Sequence, residues 1–322
     1  MKRMETASVP IGARIAGAAA LTLALALACW KTAILPGFAE EQPRLHNENV
    51  FIQYLAPRSD KYQQLYEKLK ARQILEELDT FLSPLDLGDS GLVLSVEEGD
   101  DICKYPNSYY DGAGTLHLCY SWFYFLENDV AKEYPRPPGE PFTLSSLGLI
   151  PGFTRAEVVL GGSVSVVLHE LGHAVFDLLN IPRFGREEDA ADQFAGFFMV
   201  QFGPAVSLTT VKGTYNAWHH FNAERLLASK GVLQPSLEGD AHSLDIQRAY
   251  NYLCLAYGKD PVTFKDLAEN LLPRARKDHC KEEYDQAELA FKKTLLPRID
   301  RDRMKIVQNM KIFKSEDYGS KQ

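Results

Sequence analysis

The chain has no basic run: 35 Lys and Arg are scattered among 43 Asp and Glu, for a formal charge of -8. A protein that tracks a phosphate backbone needs a basic stripe, which argues against nucleic acid as a partner. Internal repeats and low-complexity tracts are missing too, so solenoid and array architectures do not apply. Cysteine is scarce, five in 322 residues, and no two stand in a Cys-x-x-Cys pair. A zinc knuckle built on thiolates is therefore not indicated. What is present, 45% hydrophobic and 24% charged residues, suffices for one sizeable core or two modest ones.

The first 39 residues differ from the rest. Lys2, Arg3 and Arg14 precede an apolar run from Ile15 to Trp30, and Gly37-Phe38-Ala39 stands before Glu40-Glu41. This is the layout of a secretory signal, with small residues where a signal peptidase cuts. The alternative is an N-terminal membrane anchor, since Lys31 to Ala39 extends the run toward the roughly 20 residues a spanning helix needs. A lipoprotein reading through Cys29 is weaker, because Ala26 stands where Leu is expected. Either way the bulk of the protein is expected to be exported, periplasmic or extracellular, with membrane association possible through residues 15–30. The expected division is residues 1–39 as signal or anchor, 40–299 as one compact domain, and 300–322, dense in Lys, Arg and Asp, as a solvated tail.

Outside that segment four cysteines remain, Cys103, Cys119, Cys254 and Cys280. Of three possible pairings, Cys103 with Cys119 and Cys254 with Cys280 close the shortest loops. Four buried thiols are the alternative, less suited to an oxidising destination.

Apolar spacings of three and four predict a helix over residues 59–82, ended by Pro84 and Gly88. Strands are predicted at 91–96 and 115–120, the second after the turn-rich 110–114, and the two can pair in a small sheet. Five prolines mark residues 132–153 as a loop. A long helix follows over 155–179, then helices from 186 through 202, and over 215–229, 243–257, 261–270 and 281–293. Strands before residue 121 and helices after 155 predict an α+β fold that is rich in helix, its small sheet flanking the long helix.

That helix carries His169-Glu170-Leu171-Gly172-His173. Residues four apart lie about 40° apart around a helix and about 6 Å along it, so both imidazoles can face one ion. Glu170, one position on, stands where a carboxylate can take a proton from a zinc-bound water. A third ligand must come from another element, because one straight helix cannot wrap a tetrahedral ion. Asp177 lies about 12 Å along the axis from His169, which disfavours it. In Glu187-Glu188-Asp189-Ala190-Ala191-Asp192, Glu188 has Asp192 one turn on, placed to accept the free ring N–H of a ligand histidine. Glu187 has Ala191 at that offset, which makes Glu188 the better candidate. The plainer alternative is that these acids merely complement a helix dipole.

His-Glu-Leu-Gly-His with a downstream Glu-x-x-Ala-Asp resembles the gluzincin zinc peptidases, especially the minimal ones and the CaaX-processing group. The segments 107–110, 118–120, 169–174, 185–195 and 240–258 are also similar to a bacterial metallopeptidase family long catalogued as a domain of unknown function. Together they span roughly residues 90 to 284. Two positions depart from the family pattern: Ser108 stands where Ala is commoner, and Ser121 where an acidic residue is usual. The resemblance implies a gluzincin-like domain holding Zn2+. It implies that Asn107 leads a hairpin whose edge strand, Thr115 to Tyr120, pairs with substrate backbone, although an ordinary disulfide-clipped hairpin fits as well. It also implies that His242 and Arg248 approach the substrate carbonyl and backbone, where a positive donor stabilises the oxyanion. His219 and His220 have no such support.

The expected function is an exported zinc metallopeptidase acting on protein or peptide, with Glu170 as general base. The alternatives are an idle zinc-binding module of the cell envelope and a zinc hydrolase of non-peptide substrates. Glu170 favours an enzyme, since a purely structural zinc site has no use for a carboxylate beside it.

Overall fold

The computed structural model describes residues 45–99, 101–130, 154–230 and 240–309. The expected signal or anchor (1–39), the proline-rich loop (132–153) and the end of the expected tail (310–322) lie outside them. Four strands form one sheet among the described residues: β1 (Val50–Tyr54), β2 (Leu92–Glu97), β3 (Ser108–Tyr110) and β4 (Thr115–Cys119). Their order is β1-β2-β4-β3, parallel except for the antiparallel β3–β4 pair. Leu92, Leu94, Val96, Leu116 and Leu118 are fully buried and give the sheet its core face.

The helix expected over 59–82 is two, α1 (Gln63–Arg72) and α2 (Ile74–Leu82). Gln73 between them takes a left-handed conformation, φ 58°. The break turns α2 toward β1, where the Tyr54 hydroxyl accepts from the Leu75 N–H at 2.9 Å and donates to Glu76 at 2.7 Å. A short α3 (Tyr120–Phe125) continues into one wide turn, Leu126–Val130.

The long helix α4 (Arg155–Leu178) begins at a capping box in which the Thr154 hydroxyl accepts from the Glu157 N–H and the Glu157 carboxylate accepts from the Thr154 N–H. By length and hydropathy it matches a membrane span, but most of it is buried in the protein, as befits a core helix. Around it pack α5 (Glu187–Met199) and α6 (Pro204–Ala228), while β3 and β4 lie along another side. Backbone approach fixes the α4–α6 crossing: a methyl group on Gly213 would sit 1.7 Å from the Glu157 carbonyl oxygen, and one on Gly161 would be 2.2 Å from the Thr214 nitrogen. The Thr214 hydroxyl donates to the Gly161 carbonyl at 2.8 Å across the contact.

The chain closes with α7 (Asp245–Lys259), α8 (Lys265–Leu271), α9 (Arg274–Lys277), α10 (Cys280–Thr294) and α11 (Arg301–Asn309). Two disulfides join Cys103 to Cys119 and Cys254 to Cys280, with Cα separations of 5.3 and 4.8 Å. The start of the expected solvated tail is instead docked. Asp300 N–H bonds the Pro84 carbonyl, Arg303 donates to the carbonyls of His46 and Ser83, and Val307 is buried.

Candidate metal centre

His169 and His173 lie one turn apart on α4, and their Nε2 atoms approach to 3.2 Å. Helix α5 crosses α4 at Gly172, where an added methyl would meet the Ala191 Cα and the Phe194 ring at 3.3 Å. That crossing carries Glu188 to the histidines. Its Oε2 lies 3.0 Å from His169 Nε2 and 3.2 Å from His173 Nε2. Donors about 2.0–2.1 Å from a tetrahedral zinc ion stand about 3.3 Å from one another. The three observed separations match that edge length, so the residues fit a zinc ion. His242, in the turn before α7, also faces this point, its Nε2 2.9 Å from the same Glu188 oxygen. His169, Glu188 and His242 by themselves form a group whose ligand atoms lie within 4.8 Å of one another.

Each of the three imidazoles has its other nitrogen against a carboxylate. His169 Nδ1 meets Asp192 at 2.8 Å, His173 Nδ1 meets Glu187 at 3.0 Å, and His242 Nδ1 meets Asp240 at 3.1 Å. For His169 and His173, the histidines of the helix, carboxylates so placed fix the tautomer that leaves Nε2 free for a metal. Asp192 is the most elaborated of them. Buried, it accepts from Arg248 through both its oxygens at 2.8 and 2.7 Å and from the Tyr252 hydroxyl at 3.0 Å.

A family model described as "Putative metallopeptidase" matches residues 54–295, which include every donor named above. The chain belongs to this family. Membership supports a metal-dependent hydrolase acting on protein or peptide. No curated protein and no solved structure matches the chain.

In this member of the family the electrostatics follow from the packing. Burial works against a charged His169, but the Asp192 and Glu188 carboxylates outweigh it and push its pKa up to about 9. His173 is raised in the same way by Glu188 and Glu187 against its burial. Burial works against Glu188 and Asp192 ionising, yet both are held below the usual carboxylate range, Glu188 by three imidazoles and Asp192 by Arg248 and His169. Glu170 behaves oppositely: burial raises it above the usual range, against the pull of the two histidines. Its Oε2 accepts the Tyr110 N–H of β3 at 3.0 Å, and the Tyr110 hydroxyl donates to Asp177 at 2.7 Å.

The structure thus brings His169, Glu170, His173, Glu188, Asp192 and His242 together. Two expectations need revision. Arg248 lines the cavity beside His169 and His242, but it is buried there with its guanidinium bound to both Asp192 oxygens and stacked 3.7 Å over Trp218, so its donors are already engaged within the protein. Thr115 to Tyr120 is not the edge strand: β4 is interior, and the edge is β3, led by exposed Asn107, since the short Ser108–Tyr110 segment pairs outside β4. Sequence reasoning missed Glu187, Asp240 and Tyr252 as partners. Glu187 was passed over because Ala191 stands one turn on; its role comes instead from reaching back across the α4–α5 crossing to His173. Asp240, two residues before His242, was legible as a local turn former.

Proposed function

We propose that the chain is a zinc metallopeptidase that hydrolyses peptide bonds, its ion held by His169, His173 and Glu188 and its general base Glu170. The observation that carries this reading is the convergence of imidazole Nε2 atoms on one Glu188 oxygen, beside a buried carboxylate with a raised pKa. Zinc there supplies Lewis acidity that lowers the pKa of water to about 7. Glu170 takes up the proton released at its carboxylate oxygen and hands it to the leaving amide nitrogen. His242 Nε2, partly exposed beside Glu188, donates to the developing oxyanion. Asp192 and Glu187 hold the imidazoles of His169 and His173 in register, and Arg248 acts through Asp192 rather than on the substrate.

The outer edge of β3, the last strand of the sheet among the described residues, with Asn107 at its start, receives the substrate backbone as an added strand. On this reading the Tyr110 N–H, which donates to Glu170, helps set the register between strand and base. The two disulfides suit an oxidising compartment. With the layout of residues 1–39 they support export, the domain acting outside the cytoplasm after signal cleavage or on a retained anchor.

Cleavage of a peptide library by the zinc-loaded chain and by Glu170→Gln tests the proposal. Loss of the base should lower kcat/KM about 100- to 10,000-fold with metal retained. Full activity in Glu170→Gln would rule out the assigned base.

A further inference from the structure

A cavity of about 390 Å³ opens directly beside the metal centre, with His169, Glu170 and His242 on one side. Its interior walls are aromatic: Trp122, Phe125, Trp218 and Phe221. The indole N–H groups of both tryptophans are buried with no acceptor among the described residues, so these walls receive methylene or ring carbon and offer no exposed donor. The rim is polar and its charges do not balance. Arg225 is paired with Asp245 at 3.0 Å, and Arg248 is neutralised by Asp192. That leaves more carboxylate than cation at the rim among the described residues. Glu224 has the His220 ring beside it at 3.3 Å, and Asp240 holds the His242 ring and shares the field of Arg225, which is already paired with Asp245.

From this combination we infer that the cavity binds a basic side chain, Lys or Arg, of a residue flanking the scissile bond. The inference rests on the peptidase reading above and gives it a substrate class. An alkyl stem lies against the four rings while the cationic head reaches Glu224 and Asp240, as long basic side chains do when they bury their stems and keep the charge at the surface. Arg248 over Trp218 shows the same pairing of cation and indole inside the protein. An acidic side chain would meet Glu224, Asp240 and the Glu170 carboxylate and is rejected. A neutral chain of equal length forgoes the rim, which for half-exposed carboxylates is worth about a fivefold preference.

The cavity walls hold two of the three tryptophans of the chain, the third being Trp30. Tryptophan fluorescence therefore reads occupancy without requiring turnover. N-acetyl-lysine amide, its norleucine counterpart and the glutamate counterpart are titrated into the full chain and into Glu224→Gln and Glu224→Lys. In parallel, peptides differing only in that residue are tested for cleavage. The lysine amide should bind about fivefold more tightly than norleucine, the glutamate amide most weakly, and 0.5 M salt should erase the difference. Glu224→Gln should shrink the preference, and Glu224→Lys should reverse it. Norleucine binding as tightly as lysine in the unsubstituted chain, or a lysine preference that survives Glu224→Lys, would overturn the inference. A lysine preference in binding together with no cleavage of any peptide would support the pocket and count against the peptidase reading instead.

Discussion

Glu188 is the residue on which the centre turns, because its one oxygen faces three imidazoles. Glu188→Ala should empty the site. Asp192→Ala should leave zinc bound about 10- to 100-fold more weakly, as the loss of a carboxylate behind a ligand histidine does. Glu187→Ala should weaken it less, since that carboxylate is partly exposed and shared with Arg183. Chelator competition on the three variants checks the ranking. Protons compete for the same atoms. His169, raised to about 9 in the metal-free centre, must lose its proton before it can bind a metal, so zinc affinity should climb with pH and level off above about 9. Calorimetry in two buffers of different ionisation heat should show close to one proton released by this imidazole at pH 7. The metal-free fold responds with the opposite sign. His169 contributes stability that is full below its ordinary 6.5 and is lost as pH rises through about 9. Asp192 and Glu188, held low, contribute above their ordinary 3.8 and 4.5 and lose that contribution as pH falls. At this scale His169, Glu170 and His173 were proposed from the His-Glu-x-x-His spacing on one helix, and Glu188 with Asp192 from their place on the next helix shortly after that motif. Glu187 as a partner of His173 was not legible, because only the angle at which α5 crosses α4 turns it toward that ring.

Among the elements, the α4–α6 crossing is the one that keeps the metal helix in place. Replacing a helical glycine by alanine ordinarily stabilises by about 1 kcal/mol. Gly213→Ala should instead destabilise, by about 3 kcal/mol, because the new methyl collides with backbone rather than with a side chain that can swing away. Urea denaturation decides it, and a neutral or stabilising outcome would mean that the two helices can separate at no cost. The long helix was legible nearly to the residue because its capping box and its terminal Asn180-Ile-Pro182 are local signals. Helix α6 begins at Pro204, eleven residues before the expected Tyr215, for a tertiary reason. Its first turns, rich in β-branched residues, are helical because Gly213 and Thr214 lock onto α4. The strand β1 was missed because, at the edge of the sheet, it leaves apolar Phe51 and Ile52, which point to opposite faces, both exposed, so it has no alternation of a half-buried strand.

On the scale of the whole molecule, the helix-rich α+β architecture followed from where strands and helices cluster along the chain. The docking of α11 against the segment around Leu85 and His46 did not, since it joins residues more than 200 apart through backbone carbonyls. The disulfides act at this scale as well. Cys254–Cys280 ties α7, which carries Arg248 and Tyr252, to α10 across 26 residues, a closure worth about 3 kcal/mol. The Cys254→Ser, Cys280→Ser double variant should lose about that much in chemical denaturation while keeping its zinc. The account as a whole stands on the metal centre. Its most direct test is the zinc content of the purified full chain, measured by elemental mass spectrometry after dialysis against a competing chelator, alongside Glu170→Gln and Glu188→Ala. The expected result is one zinc per chain in the unsubstituted protein and in Glu170→Gln and none in Glu188→Ala. Zinc retained by Glu188→Ala, or absent from the unsubstituted chain, would contradict it.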